Sequence, residues 1–452
     1  MSASRIIGAE AAPRPIFAAA ERRGNEADLG ALACYGRPVT APFGIPFEFI
    51  LFALMLLCVA LFHQRALMIS VIGLLVIFAF ETLVTAYPTG RGTDALLAHI
   101  GHEWVIITNL LLLLVGFEVL SNQFERSNVS DHLPNILPDG FAGSVALLAV
   151  IFVLAAFLDN IAAAVLGGVM ARHLYQGRVT VAFVAALVAA SNAGGAGSVI
   201  GDTTTTIMWL KGVSALTVMP AYLAAVPAFL VVALFGARAQ HRHQPILDND
   251  QPGHPLEWRR IWIVAFILAA AVTANVVATS LSKGEETAPW LGLALWAAIL
   301  LTSVFAKPDW SVMRHGAKGA MFLAALVASA SLMPLKGLPD PSWQTVFGLG
   351  LLSSVFDNIP LTALALRQGG YDWALLSFAV GFGGSMVWFG SSAGVAITNL
   401  YPEGRSVVRW IKQAWFVPVA YVVGFFVMLL LLGWNPTAES ASAWVAPPSV
   451  HP

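Results

Sequence analysis

Ile151 to Val165 reads IFVLAAFLDNIAAAV, and Leu351 to Leu366 reads LLSSVFDNIPLTALAL. Each is an apolar run with an Asp-Asn pair in its middle, Asp159-Asn160 in the first and Asp357-Asn358 in the second. Asp-Asn is a turn former, helped in the second copy by Pro360 two residues on. One bilayer crossing takes roughly 20 apolar residues, so neither run makes two full crossings if its middle turns around. The pattern predicts two re-entrant hairpins, over 141–174 and 342–367, with tips at membrane mid-depth. Non-helical backbone at that depth has to be buried in protein or line a cavity.

Working outward, the same order of parts surrounds both runs. Ahead of the first lie apolar spans near 43–63, 66–88 and 101–120. After it come a Gly-broken segment at 179–210 and a plain span at 214–236. The second run is preceded by spans near 261–281, 288–305 and 317–334. It is followed by a Gly-broken segment at 373–400 and a span at 413–433. The predicted fold is an all-α polytopic membrane protein of two inverted repeats, 43–236 and 261–433. Each has about five crossing helices, one re-entrant hairpin and one Gly-broken helix, and an odd number of crossings inverts the second half. A polar tail over 1–42, a polar linker over 237–260 and a C-terminal tail over 434–452 complete the division.

Composition agrees. Of 452 residues, 58% are hydrophobic and 11% charged, and mean hydropathy is +0.76. A soluble chain would interrupt its apolar runs with polar faces. A formal net charge of −1 gives no sign of nucleic-acid binding or of polyanionic partners. The two cysteines, Cys34 in the tail and Cys58 in the first span, make neither a disulfide framework nor a thiolate metal site. Residues 1–42 lack the basic stretch and apolar core of a signal peptide and read as a mobile or surface-lying polar tail. Counting crossings puts Arg65, Arg172, the linker arginines, Lys318 and Arg409 among fourteen basic residues on one side, against Arg91, Lys211, Lys283, Lys336 and Arg367 on the other, which also carries the five arginines of the N-terminal tail. The positive-inside rule makes the richer side cytoplasmic and places both termini outside an inner membrane. The fourteen Trp read as interface anchors.

The chemistry concentrates in four elements, the two Asp-Asn tips and the two Gly-broken segments. Ser191 to Trp209 reads SNAGGAGSVIGDTTTTIMW, and Gly381 to Asn399 reads GFGGSMVWFGSSAGVAITN. Glycines free the backbone to unwind, while Ser191, Asn192, Ser198, Asp202, Thr203 to Thr206 and, in the second segment, Ser385, Ser391 and Ser392 supply oxygens. An unwound mid-membrane segment offers carbonyls to a cation and helix N-termini to an anion. Asp159, Asp202 and Asp357 lie in apolar or glycine-rich surroundings without a Lys or Arg inside the spans. An ionised carboxylate at mid-depth costs about 3 kcal/mol on insertion scales, so it is kept for function. Burial favours the protonated form of a carboxylate and a bound cation the ionised form, so such a group exchanges a proton for a cation. Hard oxygen ligands, carboxylate, carboxamide, hydroxyl and carbonyl, suit an alkali cation better than a soft metal.

Plainer readings stand beside these. Asp202 also suits a helix N-cap ahead of the Thr run. The Asp-Asn pairs also suit simple turn formation. Glu81 and Glu118, near span ends, read as structural hydrogen-bond partners. The histidines at 241–243 read as part of a solvated linker.

The runs NAGGAGSVIGDTTTTIMW at 192–209, FDNIPLTA at 356–363 and GGSMVWFGSSAGVA at 383–396 resemble the NhaD-type sodium/proton antiporters. That family belongs to a superfamily that also holds citrate, dicarboxylate and arsenite carriers. The resemblance spans roughly 45–433. It implies two inverted repeats, each with a scaffold part and a transport part, a homodimer in the lipid bilayer, and an elevator-like shift of the transport part. It implies an ion site at Asp159, Asn160, Ser191, Asn192, Asp202, Thr203, Asp357, Asn358 and Ser385. No cofactor is implied, Na⁺ (or Li⁺) and H⁺ being the transported ions. Val199 departs from the family, where a Pro commonly precedes the Ile-Gly-Asp. The alternative within the superfamily is a Na⁺-coupled carboxylate symporter or an arsenite-type anion carrier, whose partner is a small carboxylate or other small anion. An enzyme is not expected. The Gly-x-Gly-Asp of membrane aspartyl proteases lacks its first Gly at Val199, and no HExxH zinc motif occurs.

Overall fold

The computed structural model describes residues 46–436 apart from 63–64, 85, 88–89, 92, 129–136, 247–254, 283–287 and 335–337. The N-terminal tail (1–42), Cys34 and most of the C-terminal tail lie outside the described residues.

Among the described residues the chain is helical except for a small hairpin, in which Ala86–Tyr87 pairs antiparallel with Gly90–Arg91. The first half holds α1 (Phe47–Leu61), α2 (Ala66–Val84), α3 (Thr93–Glu125), α4 (Gly140–Leu154), α5 (Asn160–Leu174), α6 (Val181–Gly195), α7 (Thr203–Leu210), the single turn α8 (Ala215–Val218) and α9 (Tyr222–His243). The second half holds α10 (Trp258–Ser282), α11 (Trp290–Ser303), α12 (Met313–Ser331), α13 (Trp343–Ser353), α14 (Asn358–Gln368), α15 (Trp373–Gly383), α16 (Ser392–Leu400), α17 (Val407–Gln413) and α18 (Phe416–Leu432).

Helix lengths follow from where polar residues interrupt the apolar runs. α4 and α5 have 15 residues each and α13 and α14 have 11 each. At 1.5 Å per residue these rise about 16 to 23 Å, short of a hydrocarbon core about 30 Å thick. The stretches 66–83, 107–124 and 215–243 are long and apolar enough to cross, and the pair Val407–Gln413 and Phe416–Leu432, bent by 60°, becomes a fourth if taken as one span.

The helices form two groups. α1, α2 and α3 pack with α10, α11 and α12, while α4 to α9 pack with α13 to α18. At the centre of the second group lie α6 and α15, buried along their whole lengths. They are shielded by α9 and α18, which pack against each other, and by α4, α5, α13 and α16. A helix apolar all round is stable only where protein or lipid surrounds it on every side. The two groups meet chiefly where α14 touches α12, and Arg367 of α14 donates to the Ala330 carbonyl at 2.9 Å and to that of Met333 at 2.5 Å, at the C-terminal end of α12.

Two expectations change. The segment read as linker from Ala237 is still helix as far as His243, because the buried stripe of α9 continues through Ala237 and Gln240. Gln240 is fully buried. Its Oε1 accepts from Thr180 N at 2.8 Å and its Nε2 donates to the Arg178 carbonyl at 2.9 Å, fastening the turn before α6. His241 and His243 are exposed, on the last helical turn. The second change concerns glycine. Gly194, Gly195, Gly197 and Gly201 all keep negative φ, so unwinding does not depend on their left-handed freedom. Their role is spatial: a Cβ on Gly194 would collide with the Phe152 carbonyl, and one on Gly383 with that of Gly350. The broken helices therefore lie directly on the backbone of α4 and α13.

Candidate functional site

Three carboxylates stand at helix breaks in this second group. Asp159 occupies the N-cap position of α5 without any capping hydrogen bond from its side chain. Asp357 caps α14, its Oδ1 accepting from Ile359 N at 3.1 Å. Asp202, in extended conformation after the unwound 196–201, caps α7 with Oδ1 accepting from Thr204 N at 3.0 Å. Capping is thus part of the role of Asp202 and Asp357, and no part of that of Asp159.

Side chains from both halves meet here. Asn160 Nδ2 donates to Asn192 Oδ1 at 3.0 Å, and Asn192 Nδ2 donates to Ser385 Oγ at 2.8 Å. This chain of amides joins the α5 tip, α6 and the break after α15. In the other direction, Asn358 Nδ2 donates to Thr204 Oγ1 at 2.7 Å and to Asp202 Oδ1 at 3.3 Å. Asn160, Asn192, Asp202, Asn358 and Ser385 are all buried, Asp202 completely. Asp202 Oδ2 is buried too and accepts no hydrogen bond from a described residue. A buried polar atom of this kind costs about 1–3 kcal/mol when left unpaired, and more when charged.

Other candidate residues are engaged elsewhere. Ser191 returns its hydroxyl to the Val188 carbonyl at 2.9 Å, within its own helix. Ser198 donates to the Ala156 carbonyl at 2.6 Å, tying the break to the end of α4. Thr205 and Thr206 donate their hydroxyls to the carbonyls of Ser198, Val199 and Asp202, which ties the start of α7 to the break before it. Thr203 follows Asp202 half-buried. Asp159 and Asp357 are half-buried.

Asp357 lines a cavity of about 890 Å³ between α1, α2 and α12 on one side and the α14 tip and α16 on the other, with Arg65 and Lys318 also in its wall. Its Oδ2 accepts from Ser392 Oγ at 3.3 Å. The run Gly390 to Gly394 has the Gly-x-Ser-x-Gly form of a hydrolase elbow, but its Ser392 hydroxyl turns to this carboxylate rather than to a histidine base. Sequence reasoning missed Ser377 altogether, and it read Thr204 and Ser392 as oxygen-bearing residues of the broken segments without placing them in the ion site. Ser377 donates to the Ala196 carbonyl at 2.6 Å, joining α15 to the first break. The signal for Thr204 was available, since an N-cap Asp presents the residue two positions on.

The arrangement can hold a small ion or proton among carboxylate, carboxamide, hydroxyl and carbonyl oxygens, and its members come from helices of both halves. Among the described residues no group of three or more His, Cys, Asp or Glu side chains is set up to hold a metal ion.

The citrate transporter family matches residues 45–383. The chain is 24% identical over 377 residues to sodium/proton antiporter 1 of Arabidopsis thaliana, covering 75% of this chain and 64% of the relative. It is 25% identical over 295 residues to the Na(+)/H(+) antiporter NhaD of Vibrio cholerae, covering 54% and 60%. To the protein of the same name from Halomonas elongata it is 27% identical over 168 residues, covering 33% and 32%. The chain thus spans less than two thirds of the length of each of these relatives.

Proposed function

Because the chain belongs to the citrate transporter family, we propose that it is a secondary active transporter, exporting Na⁺ or Li⁺ in exchange for protons. The observation that carries this reading is Asp202: a fully buried carboxylate with one oxygen free, bonded through the other to a residue 156 positions away in the second half. Such a group holds either a proton or a small hard cation, the competition that an antiporter needs. The names of the plant and bacterial relatives agree with it.

The finer architecture belongs to the same proposal. The two halves are inverted repeats. The pairs α4/α5 and α13/α14 are re-entrant hairpins, and the broken helices α6/α7 and α15/α16 complete the transport part. The scaffold is α1–α3 with α10–α12, against which the transport part shifts by an elevator-like movement in a homodimer. The protein works as a carrier in the inner membrane, with both termini outside. Proton influx supplies the driving force, and each charge moved across 100 mV adds about 2.3 kcal/mol if exchange is electrogenic.

A second reading, Na⁺-coupled uptake of a small carboxylate, is favoured by the cavity at Asp357, whose wall includes Arg65 and Lys318. Proteoliposomes holding a pH gradient separate the two. Collapse of the gradient on adding Na⁺ or Li⁺ supports antiport. Silence with these cations, together with Na⁺-dependent citrate uptake, supports the anion carrier and rules antiport out.

A further inference from the structure

The two breaks are built in register. Asp202 caps α7 and Ser391 caps α16, each in extended conformation. Gly195 and Gly384 correspond: a Cβ on either would lie 2.7 Å from the carbonyl oxygen just before the cap, that of Gly201 or Gly390. By the same register Asn192 of the first half corresponds to Gly381 of the second. The tip asparagines show the consequence. Asn160 bonds to Asn192 within its own half. Asn358 finds no side chain at Gly381 and reaches to Asp202 and Thr204 of the first half.

Gly381 also faces an opening. A Cβ built there would meet Asp202 Oδ2 at 2.8 Å and no other atom within 4 Å beyond its own helix and chain neighbours. The opening is thus bounded at close range by the one Asp202 oxygen that no described residue bonds. Oδ1 of the same carboxylate is already held by Thr204 N and Asn358 Nδ2, so the group presents one fixed, free oxygen to the space left at residue 381. A buried carboxylate oxygen of this kind needs a partner, and α15 supplies none because residue 381 has no side chain.

We propose that Gly381 determines ion selectivity: the opening it leaves admits the transported cation to the free oxygen of Asp202. This site lies between the halves, apart from the contact of Asn160 with Asn192, and the inference rests on the exchange reading above. A methyl group in the opening reduces the space next to Oδ2. It therefore penalises Na⁺ more than the smaller Li⁺, whereas general damage lowers turnover for both alike.

The test uses the full chain in proteoliposomes, with wild type, Gly381→Ala, Gly381→Ser and, as control, Gly348→Ala, where an added Cβ meets nothing. Apparent KM for Na⁺ and Li⁺ is read separately from turnover. For Gly381→Ala we expect the Na⁺ KM to rise about tenfold or more, a loss near 1.4 kcal/mol, with a smaller rise for Li⁺. Equal changes for the two ions, or none, overturn the inference even if wild type exchanges cations. A wild type that moves no cation overturns the exchange reading itself. Should the Gly381 variants fail to fold, Na⁺-induced infrared difference spectra of wild type and Asp202→Asn decide. A carboxylate band that shifts with Na⁺ in wild type and is missing in the variant supports the site, and an identical spectrum in both overturns it.

Discussion

Asn358 donates its side-chain amide to the carboxylate of Asp202 at 3.3 Å, across 156 positions of sequence. Through that bond the tip of α14 holds the capped start of α7, so the second half orients the carboxylate at the centre of the first. The same amide reaches Thr204 Oγ1 at 2.7 Å, and with two acceptors it has little rotational freedom. An ion-exchanging carboxylate works best when its lone pairs already point in a fixed direction.

Replacing Asn358 by Ala removes the side-chain donor from Asp202 Oδ1 and leaves Thr204 Oγ1 short of its partner. Stability falls by about 1–3 kcal/mol, the cost of stranding buried polar groups. Exchange falls more steeply than stability. Thermal unfolding in detergent and proton flux in vesicles read the two separately, and an intact flux contradicts the orienting role.

Gly194→Ala and Gly383→Ala drive a methyl into the carbonyls of Phe152 and Gly350. Each costs about 1–3 kcal/mol through overpacking, or more where the backbone cannot yield. Gly348→Ala, in open space, leaves the unfolding temperature within error of wild type. A ranking of melting temperatures across the three variants checks this directly.

Gln240→Ala cuts the bonds to Thr180 and Arg178 that fasten the turn before α6. We expect a loss of about 1–3 kcal/mol in stability with no change in apparent Na⁺ affinity, because Gln240 makes no bond to the carboxylate site. A shifted Na⁺ affinity in a folded variant argues against the division between site and support.

Proton and cation compete for the same oxygens in the exchange reading. Lowering the pH on the cation-binding side therefore raises the apparent KM for Na⁺, while the rate at saturating Na⁺ changes less. Initial rates over a grid of pH and Na⁺ concentration check the pattern, and a KM independent of pH contradicts a shared site.

The positions of the helix breaks were legible in the sequence because Asp159, Asp202 and Asp357 each interrupt an apolar run where turn or capping residues are the local preference. The helical, membrane-type character was legible from hydropathy for the same reason. Which amides meet was not, since Asn160 and Asn358 share the Asp-Asn-Ile triplet yet choose different partners. The position matching Asn192 in the second half is Gly381, a correspondence with meaning only once α15 lies against α7. The role of the glycines was misread because the sequence shows their freedom and not their neighbours. Gln240 was lost in an apparent linker because Arg238, Gln240 and the residues 241–243 end the apolar run without ending the helix. The bent pair α17/α18 was hidden for a related reason, since Arg409 and Lys412 interrupt the apolar run ahead of the span expected from 413.

The most direct test of the account is uptake of radiolabelled Na⁺ into everted vesicles driven by an imposed pH gradient, comparing wild type with the isosteric Asp202→Asn. The account predicts uptake in wild type that stops when the gradient is dissipated, and none above background in a variant that still folds and inserts. Gradient-driven uptake that persists in Asp202→Asn, or its absence from wild type, contradicts it.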